Sequence, residues 1–479
     1  MVQQAAFDQH EIQAVIERVR LKLRGHAEAV PVTDPGVVGD GIYPDVDAAV
    51  SAARKALQAY RAMGLKKRHR IIDSVRSAMR AEARNLAEMA AQETGLGRAD
   101  DKEKKNLLVI EKTPGPEDLE PRVWSGDQGL TVTEYAPYGV IGAITPTTNP
   151  TATIINNTIA IVSAGNSVVF NPHPSAKNVS VHAIRLINRA IVAAGGPADL
   201  VTATPEPTIE SAQRLMNHPQ VRVLMVTGGP GVVKEAQKTS KRAILAGPGN
   251  PPVVVDANAD IELAGREIVR GASFDNNVIC TDEKVVIVVD SVADQLLKEM
   301  VKNNSYLLKE YEFKKLERVI FSEIGEPGKP GRINPRWIGQ NAGRILQEIG
   351  IHSETDIRLV VADVPREHSL VWTEQMMPVM PVVRVRNIDE AIDLAIRAEH
   401  GCGHTASIYS RDVNAITRMA RDIDVSIFVA NAANLAGLGD GGEGYTSFSI
   451  ASPTGEGLTR PRSFSRDRRM TIAGGLRIV

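Results

Sequence analysis

Apolar residues recur at spacings of three and four over residues 8–23, at Ile12, Val15, Ile16, Val19 and Leu23. That period draws one apolar stripe along a helix. Asp8, with Glu11 three positions on, reads as a capping-box start. Residues 25–44 then carry Pro31, Pro35, Gly36, Gly39, Gly41 and Pro44, the composition of a linker. A short amphipathic helix on such a tether cannot bury its own apolar face, so it must dock on its own domain or on a partner. From Asp45 the spacing becomes helical again, predicting helices over 45–63 and 66–94 with a stop at Gly95. The basic run from Lys66 to Arg70 reads as a solvated helix start.

Beyond residue 130 the pattern changes to strand, polar turn, helix. Residues 130–135 alternate as a strand does. Gly139 to Ile144 is a continuous apolar run leading into Thr145-Pro146-Thr147-Thr148-Asn149-Pro150 and a helix. Ser167 to Phe170 leads into Asn171-Pro172-His173-Pro174 and a helix that stops at Gly195-Gly196. Val221 to Val226 leads into Thr227-Gly228-Gly229-Pro230-Gly231 and another helix. Further strands are predicted at 252–256, 284–289, 359–362, 381–385, 405–409 and 426–429. Gly325 to Trp337, with three prolines, reads as a surface loop. Alternation of this kind implies α/β architecture, with parallel sheets covered by helices on both faces.

Composition narrows the function. There are 56 basic and 57 acidic residues and only 4% aromatics, which gives no electrostatic or stacking case for nucleic acid or a membrane surface. No apolar run approaches the roughly 20 residues needed to span a bilayer. The start of the chain has no secretory pattern. Two cysteines in 479 residues form no disulfide framework, and a reducing cytosol is expected.

The residues with chemical potential are few. Cys280, in Ser273-Phe274-Asp275-Asn276-Asn277-Val278-Ile279-Cys280-Thr281, is a lone thiol that reads either as a nucleophile or as an inert core cysteine. Asn149 follows a buried strand and could donate its amide to an oxyanion or cap the next helix. The Thr227 to Gly231 turn opens a helix, where backbone could approach a phosphate. It lacks the third glycine of a dinucleotide fingerprint, with Lys234 in that place. His173 lies between two prolines. His400 and His404 flank Cys402 in His-Gly-Cys-Gly-His, but the spacing completes no zinc site, so no metal is expected.

Taken together, four separated motifs resemble the aldehyde dehydrogenase superfamily. They are Pro137 to Gly142 with Thr145 to Pro150, Phe274 to Cys280, Glu374-Gln375-Met376-Met377-Pro378-Val379, and Gly403 to Ser407. Hydrolytic members carry a water-activating glutamate before the cysteine. Here the corresponding run is Leu245-Ala246-Gly247-Pro248-Gly249-Asn250, with Ala246 in its place. The chain therefore resembles the CoA-acylating branch, in particular the propionaldehyde and acetaldehyde dehydrogenases of bacterial microcompartments. The hydrolytic enzymes are the alternative.

The resemblance implies an aldehyde dehydrogenase-like fold, two Rossmann-like parallel-sheet domains plus a small oligomerisation element. Residues 45–120 and 136–245 would bind NAD, 246–450 would be catalytic, and 121–135 with 451–479 would build the homodimer or homotetramer. It implies Cys280 as nucleophile, Asn149 as oxyanion donor and His404 as an aid to deprotonating coenzyme A. The implied cofactor-binding residues are Thr145, Pro146, Thr147, Asn171, Pro172, His173, Thr227, Gly228, Gly229, Gly247, Glu374 and Pro378. Asn171 stands where many superfamily members place a lysine. Residues 1–24 would be an encapsulation-type helix on the 25–44 linker. That helix would dock on shell or core proteins and place the enzyme in a microcompartment lumen within the bacterial cytoplasm.

Overall fold

The computed structural model describes residues 39–477. The helix expected over 8–23, and the linker up to residue 38, lie outside the described residues. Residues 39–43, the end of the Pro/Gly stretch, run beside a sheet edge. Ile42 is fully buried and pairs with Ala203, whose carbonyl accepts from Tyr43 N at 3.0 Å.

The first sheet has five parallel strands in the spatial order Val201–Ala203, Ser167–Asn171, Val140–Ile144, Val221–Thr227, Arg242–Ala246. Every residue of the central Val140–Ile144 strand is buried. Alternate side chains leave a strand on opposite faces, and the packing follows that rule. Ile141, Ala143, Val223 and Met225 pack with the long helix Leu65–Thr94 and the helices Pro150–Ser163 and Lys177–Ala193. Val140, Ile144, Leu224 and Val226 pack on the other face with the helices Val46–Arg61, Ile209–Asn217 and Pro230–Gln237. Both helices expected at the start of this region are present, as Val46–Arg61 and Leu65–Thr94.

The second sheet has seven parallel strands, ordered Ser305–Leu307, Leu359–Asp363, Val379–Val385, Val285–Val289, Pro252–Val255, Thr405–Tyr409, Ile427–Ala430. Its faces divide in the same way, Val254 and Ile287 packing on one side and Val253 and Val286 on the other. A third, antiparallel sheet joins Arg122–Gly126, Gly129–Pro137 and Ser465–Ala473. It leaves Val123, Trp124 and Met470 more than half exposed.

Several elements differ from the sequence pattern. The Ala99–Lys112 helix and the Arg242–Ala246 strand were not anticipated, because their charged residues mask the apolar period. Within the expected surface loop, Arg332–Ile333 pairs back on the Phe321–Glu323 strand just before it, and Trp337 is buried. The basic run at 66–70 is more than a solvated start. Lys67 Nζ donates to Ala194 O at 2.8 Å and Arg68 to Ser163 O at 3.4 Å, so two cations satisfy the carboxyl ends of two other helices.

The Pro150–Ser163 helix is buried along its whole length. Its two asparagines tie it to the segment at 448–449: Asn156 Oδ1 accepts from Phe448 N at 3.2 Å, and Asn157 Oδ1 from Ser449 Oγ at 3.0 Å. The helix is thus a rigid beam with Asn149 at its tip. Ile155→Ala is expected to cost about 2–5 kcal/mol, read as a lower urea midpoint, whereas Val192→Ala on the exposed face should stay within about 0.5 kcal/mol.

Candidate active site

In open parallel sheets, ligands sit beyond the carboxyl ends of the strands. Here three turns of the first sheet meet the Cys280 segment of the second around a cleft of about 500 Å³. Thr145, Pro146, Thr147 and Asn149 border it from the first turn, Asn171, Pro172 and His173 from the second, and Thr227, Gly228 and Gly229 from the third. Gly247, Cys280 and Glu374 complete the wall, with Val278, Met376, Phe448 and Ile450 supplying apolar surface. Two of the anticipated residues lie elsewhere. Pro378 is buried in the second sheet, its carbonyl accepting from Val360 N at 2.9 Å. His404 sits fully buried behind the wall.

Three consecutive residues before the thiol, Asp275, Asn276 and Asn277, have φ of 45°, 57° and 64°. This left-handed region is unfavourable by roughly 1–2 kcal/mol per L-residue, and Asn and Asp tolerate it best. Each side chain of the turn is tied down. Asp275 accepts from Arg98 N at 2.7 Å and Lys102 Nζ at 2.9 Å, and it also pairs with Lys105. Asn276 Nδ2 donates to Gly339 O and to Asn341 Oδ1, both at 2.8 Å. Asn277 Nδ2 donates to Ala272 O and Glu283 O, and its Oδ1 accepts from the buried Lys284 Nζ at 2.6 Å. Lys284 also reaches Ile279 O at 3.1 Å, one residue before Cys280. Gly97 lets the neighbouring chain pass, since a Cβ there would lie 2.0 Å from Asp275 Oδ1.

Gly249 is where the motifs join. Its N–H donates to Glu374 Oε1 at 3.3 Å. A Cβ on it would meet His404 Cγ at 2.9 Å and Cys280 O at 3.0 Å. Glu374, His404 and Cys280 are therefore mutual neighbours around one bare backbone position. His404 Nδ1 shares a hydrogen bond with Thr405 Oγ1 at 2.8 Å, and its Nε2 has no protein partner. His400 faces away and contacts Trp372 O at 2.9 Å.

The electrostatics set the resting protonation states. Burial pushes the Cys280 thiol up to about 12, with Glu374 adding to the rise and Lys284 opposing it. Burial, helped by Lys284, brings His404 down to about 4. A raised thiol and a lowered imidazole exclude a thiolate–imidazolium pair at neutral pH. The resting site is a thiol beside a neutral ring. Burial also raises the Glu374 carboxyl above its usual range.

The donor set of the cleft fits a dinucleotide. Thr145 Oγ1 and Thr147 Oγ1 have no partner within the protein. Gly228 and Gly229 present bare backbone at the start of the Pro230–Gln237 helix, where N–H groups favour phosphate. Among the described residues lining the cleft, Glu374 is the sole carboxylate, and none is lysine or arginine. Ala246 faces the cleft at the end of its strand. Sequence reasoning missed Gly249, Lys105 and Lys284. The spacing of Lys102 and Lys105 on one helix face was the available signal for the lysine pair, but a run of charge reads as solvated surface.

The sequence pattern of the aldehyde dehydrogenase family matches residues 36–310 and 358–448. An acetylating acetaldehyde dehydrogenase, EutE, of Salmonella typhimurium is 48% identical over 98% of this chain and 100% of its own. The crystal structure of Rhodopseudomonas palustris propionaldehyde dehydrogenase, with bound CoA and an acylated cysteine, superposes with a TM-score of 0.89 at 46% identity, covering 92% of this chain and 100% of that one. A propionaldehyde dehydrogenase from the Clostridium phytofermentans fucose utilisation microcompartment gives 0.89 at 42% identity, with the same coverage. The chain belongs to the aldehyde dehydrogenase family.

Two outcomes test the site's electrostatics and packing. Alkylation of Cys280 by iodoacetamide should rise about tenfold per pH unit from 7 to 10 with no plateau, because the thiolate fraction grows at that rate below the thiol's pKa. A plateau below pH 8.5 would show a pre-formed thiolate instead. Gly249→Ala should lower turnover by about 10²-fold, since displacements near 1 Å at a reacting centre cost that much, while the thermal midpoint falls only modestly.

Proposed function

We propose that the chain oxidises a short-chain aldehyde to its acyl-CoA with NAD, through a thioester on Cys280. Propionaldehyde is the preferred substrate and acetaldehyde the next. The observation that carries this reading is Ala246. The cleft wall has no carboxylate there to activate water, while the thiol and the Asn149 amide border the same space. Relatives that share 46–48% of the sequence act on acetaldehyde and propionaldehyde, one of them with CoA bound and its cysteine acylated.

In this mechanism Cys280 passes its proton to water in the cleft or to the Glu374 carboxylate as its sulfur adds to the aldehyde carbon. Asn149 Nδ2 donates to the oxygen that becomes an oxyanion, and the positive end of the Pro150–Ser163 helix faces the same point. Thr145, Thr147, Gly228, Gly229 and Glu374 would hold the NAD dinucleotide, whose nicotinamide would accept the hydride lost from the adduct carbon. Collapse of the adduct leaves a thioester on Cys280. With Ala246 in place of a base, the thioester outlasts attack by water. The CoA thiol attacks, and Cys280 is released as the leaving group. His404, the residue the resemblance assigns to assisting CoA deprotonation, is neutral with Nε2 unengaged but lies buried behind the cleft wall, so it would take up this proton only if the wall opened to the CoA thiol. The absence of lysine or arginine from the lining disfavours phosphate as the acyl acceptor.

We also propose that the enzyme assembles as a homodimer or homotetramer through the antiparallel sheet, whose exposed Val123, Trp124 and Met470 supply the apolar surface such an interface needs. Residues 45–120 with 136–245 form its cofactor domain and 246–450 its catalytic domain. Residues 8–23 dock on a shell or core protein of a microcompartment in the bacterial cytoplasm. The sequence pattern of that segment and the microcompartment origin of a solved relative support this placement.

NADH formation from propionaldehyde with and without CoA, followed by mass spectrometry of products, tests the chemistry. Propionyl-CoA is expected as product, and Cys280→Ala should lower the rate by at least about 10⁴-fold, as loss of a covalent nucleophile does. Ala246→Glu should raise CoA-independent release of propionate. Carboxylate as the main product of the unaltered enzyme at saturating CoA would reverse the assignment.

A further inference from the structure

The Pro150–Ser163 helix begins at Asn149, a position whose side chain ordinarily satisfies the helix's first free amides. Asn149 makes no such bond. Its Oδ1 accepts instead from Lys105 Nζ at 2.6 Å, and its Nδ2 donates to Thr148 Oγ1 at 3.1 Å. Lys105 comes from the Ala99–Lys112 helix and is itself only 2% exposed.

An ammonium carries three donors and no acceptor. Only the carbonyl end of the amide can face it. The two ends of an asparagine amide have nearly the same shape, so packing alone discriminates poorly between the two orientations. The lysine decides it chemically. With Oδ1 held by Lys105, the NH₂ end is turned away. One N–H goes to Thr148 and the second is left for the cleft that Asn149 borders. The charge on Lys105 also polarises the amide and strengthens its outward N–H as a donor.

We propose that Lys105 is a positioning residue that locks the Asn149 amide with its N–H toward the aldehyde oxygen. This rests on the roles given above to Cys280 and Asn149. Without the ammonium the amide can turn over and present Oδ1, an acceptor, to a developing negative charge. Lys102 provides an internal comparison. It is equally buried and donates to the same Asp275 Oδ2, but it reaches Thr148 O at 3.3 Å and makes no bond to Asn149. Removing Lys102 removes a buried cation without freeing the amide.

The test is the single-turnover NADH burst with propionaldehyde and NAD in the absence of CoA, measured beside iodoacetamide alkylation of Cys280. Lys105→Met should slow the burst about 10- to 100-fold, less than the 10²–10³ expected when an oxyanion donor is deleted outright, with alkylation within about twofold of the unaltered enzyme. Lys102→Met should slow the burst less than Lys105→Met does. In an Asn149→Ala background, Lys105→Met should add less than about twofold, because two residues acting through one bond are not additive. If Lys105→Met does not fold, Lys105→Gln, which keeps a donor without charge, carries the same comparison with a smaller loss. Equal slowing by Lys105→Met in both backgrounds, or equal slowing by Lys102→Met, would overturn the proposal. A burst absent from the unaltered enzyme, or undiminished in Asn149→Ala, would instead overturn the assignment of the reaction on which it rests.

Discussion

One buried carboxylate, Asp275, stands between two buried ammonium groups, Lys102 and Lys105, and the geometry of the site hangs on that contact. The carboxylate belongs to the left-handed turn that delivers Cys280. The lysines belong to the Ala99–Lys112 helix, which packs beside the helix carrying Asn149. Cys280 and Asn149, which border the same cleft, thus come from different sheets and are registered through one charged cluster. Charges taken out of water are costly unless fully paired, and removing one partner of such a pair typically costs about 3–5 kcal/mol. Asp101 extends the cluster, accepting from Arg358 at 2.6 Å and from Asp275 N at 3.1 Å. Strain in the turn and charge in the cluster are two sides of one constraint. Three left-handed residues persist because every side chain among them is bonded.

Around that constraint the fold supplies stiffness. The parallel sheets are apolar on both faces and end in turns whose polar atoms are left for a ligand. The wholly buried Pro150–Ser163 helix carries Asn149 at its tip. The cleft itself is sparingly charged. One carboxylate, one thiol and an exposed histidine, His173, are its titratable groups among the described residues. On the proposed chemistry this sparseness is selective, since no carboxylate stands at Ala246 to activate water and no lysine or arginine lines the cleft to hold phosphate as an acyl acceptor.

Much of this was legible in the sequence. Most strands of both sheets announced themselves as short apolar runs such as Val140 to Ile144 and Val285 to Val289, though Val201–Ala203, Arg242–Ala246 and Ser305–Leu307 did not, and the polar turns after three strands of the first sheet marked the cleft wall. Cys280 and Asn149 stood out by residue type and context, and Glu374 through the family resemblance alone. What was not legible is the inward turn of charge. Asp100-Asp101-Lys102-Glu103-Lys104-Lys105 has the look of solvated surface, and nothing local shows that Asp275, 170 positions from Lys105, neutralises its inward half. Gly249 was invisible for the opposite reason. Its value lies in having no side chain, which is apparent only once His404 and Cys280 have been folded against it. Asn149 was ambiguous between cap and donor, and only the partner of its Oδ1 separates the two.

The raised thiol has a consequence outside the catalytic cycle. Peroxides and disulfides react with thiolates, and a sulfur that stays protonated climbs the oxidation ladder slowly. On the proposed chemistry, a nucleophile kept as the thiol at rest would be slow to form sulfenic acid between turnovers.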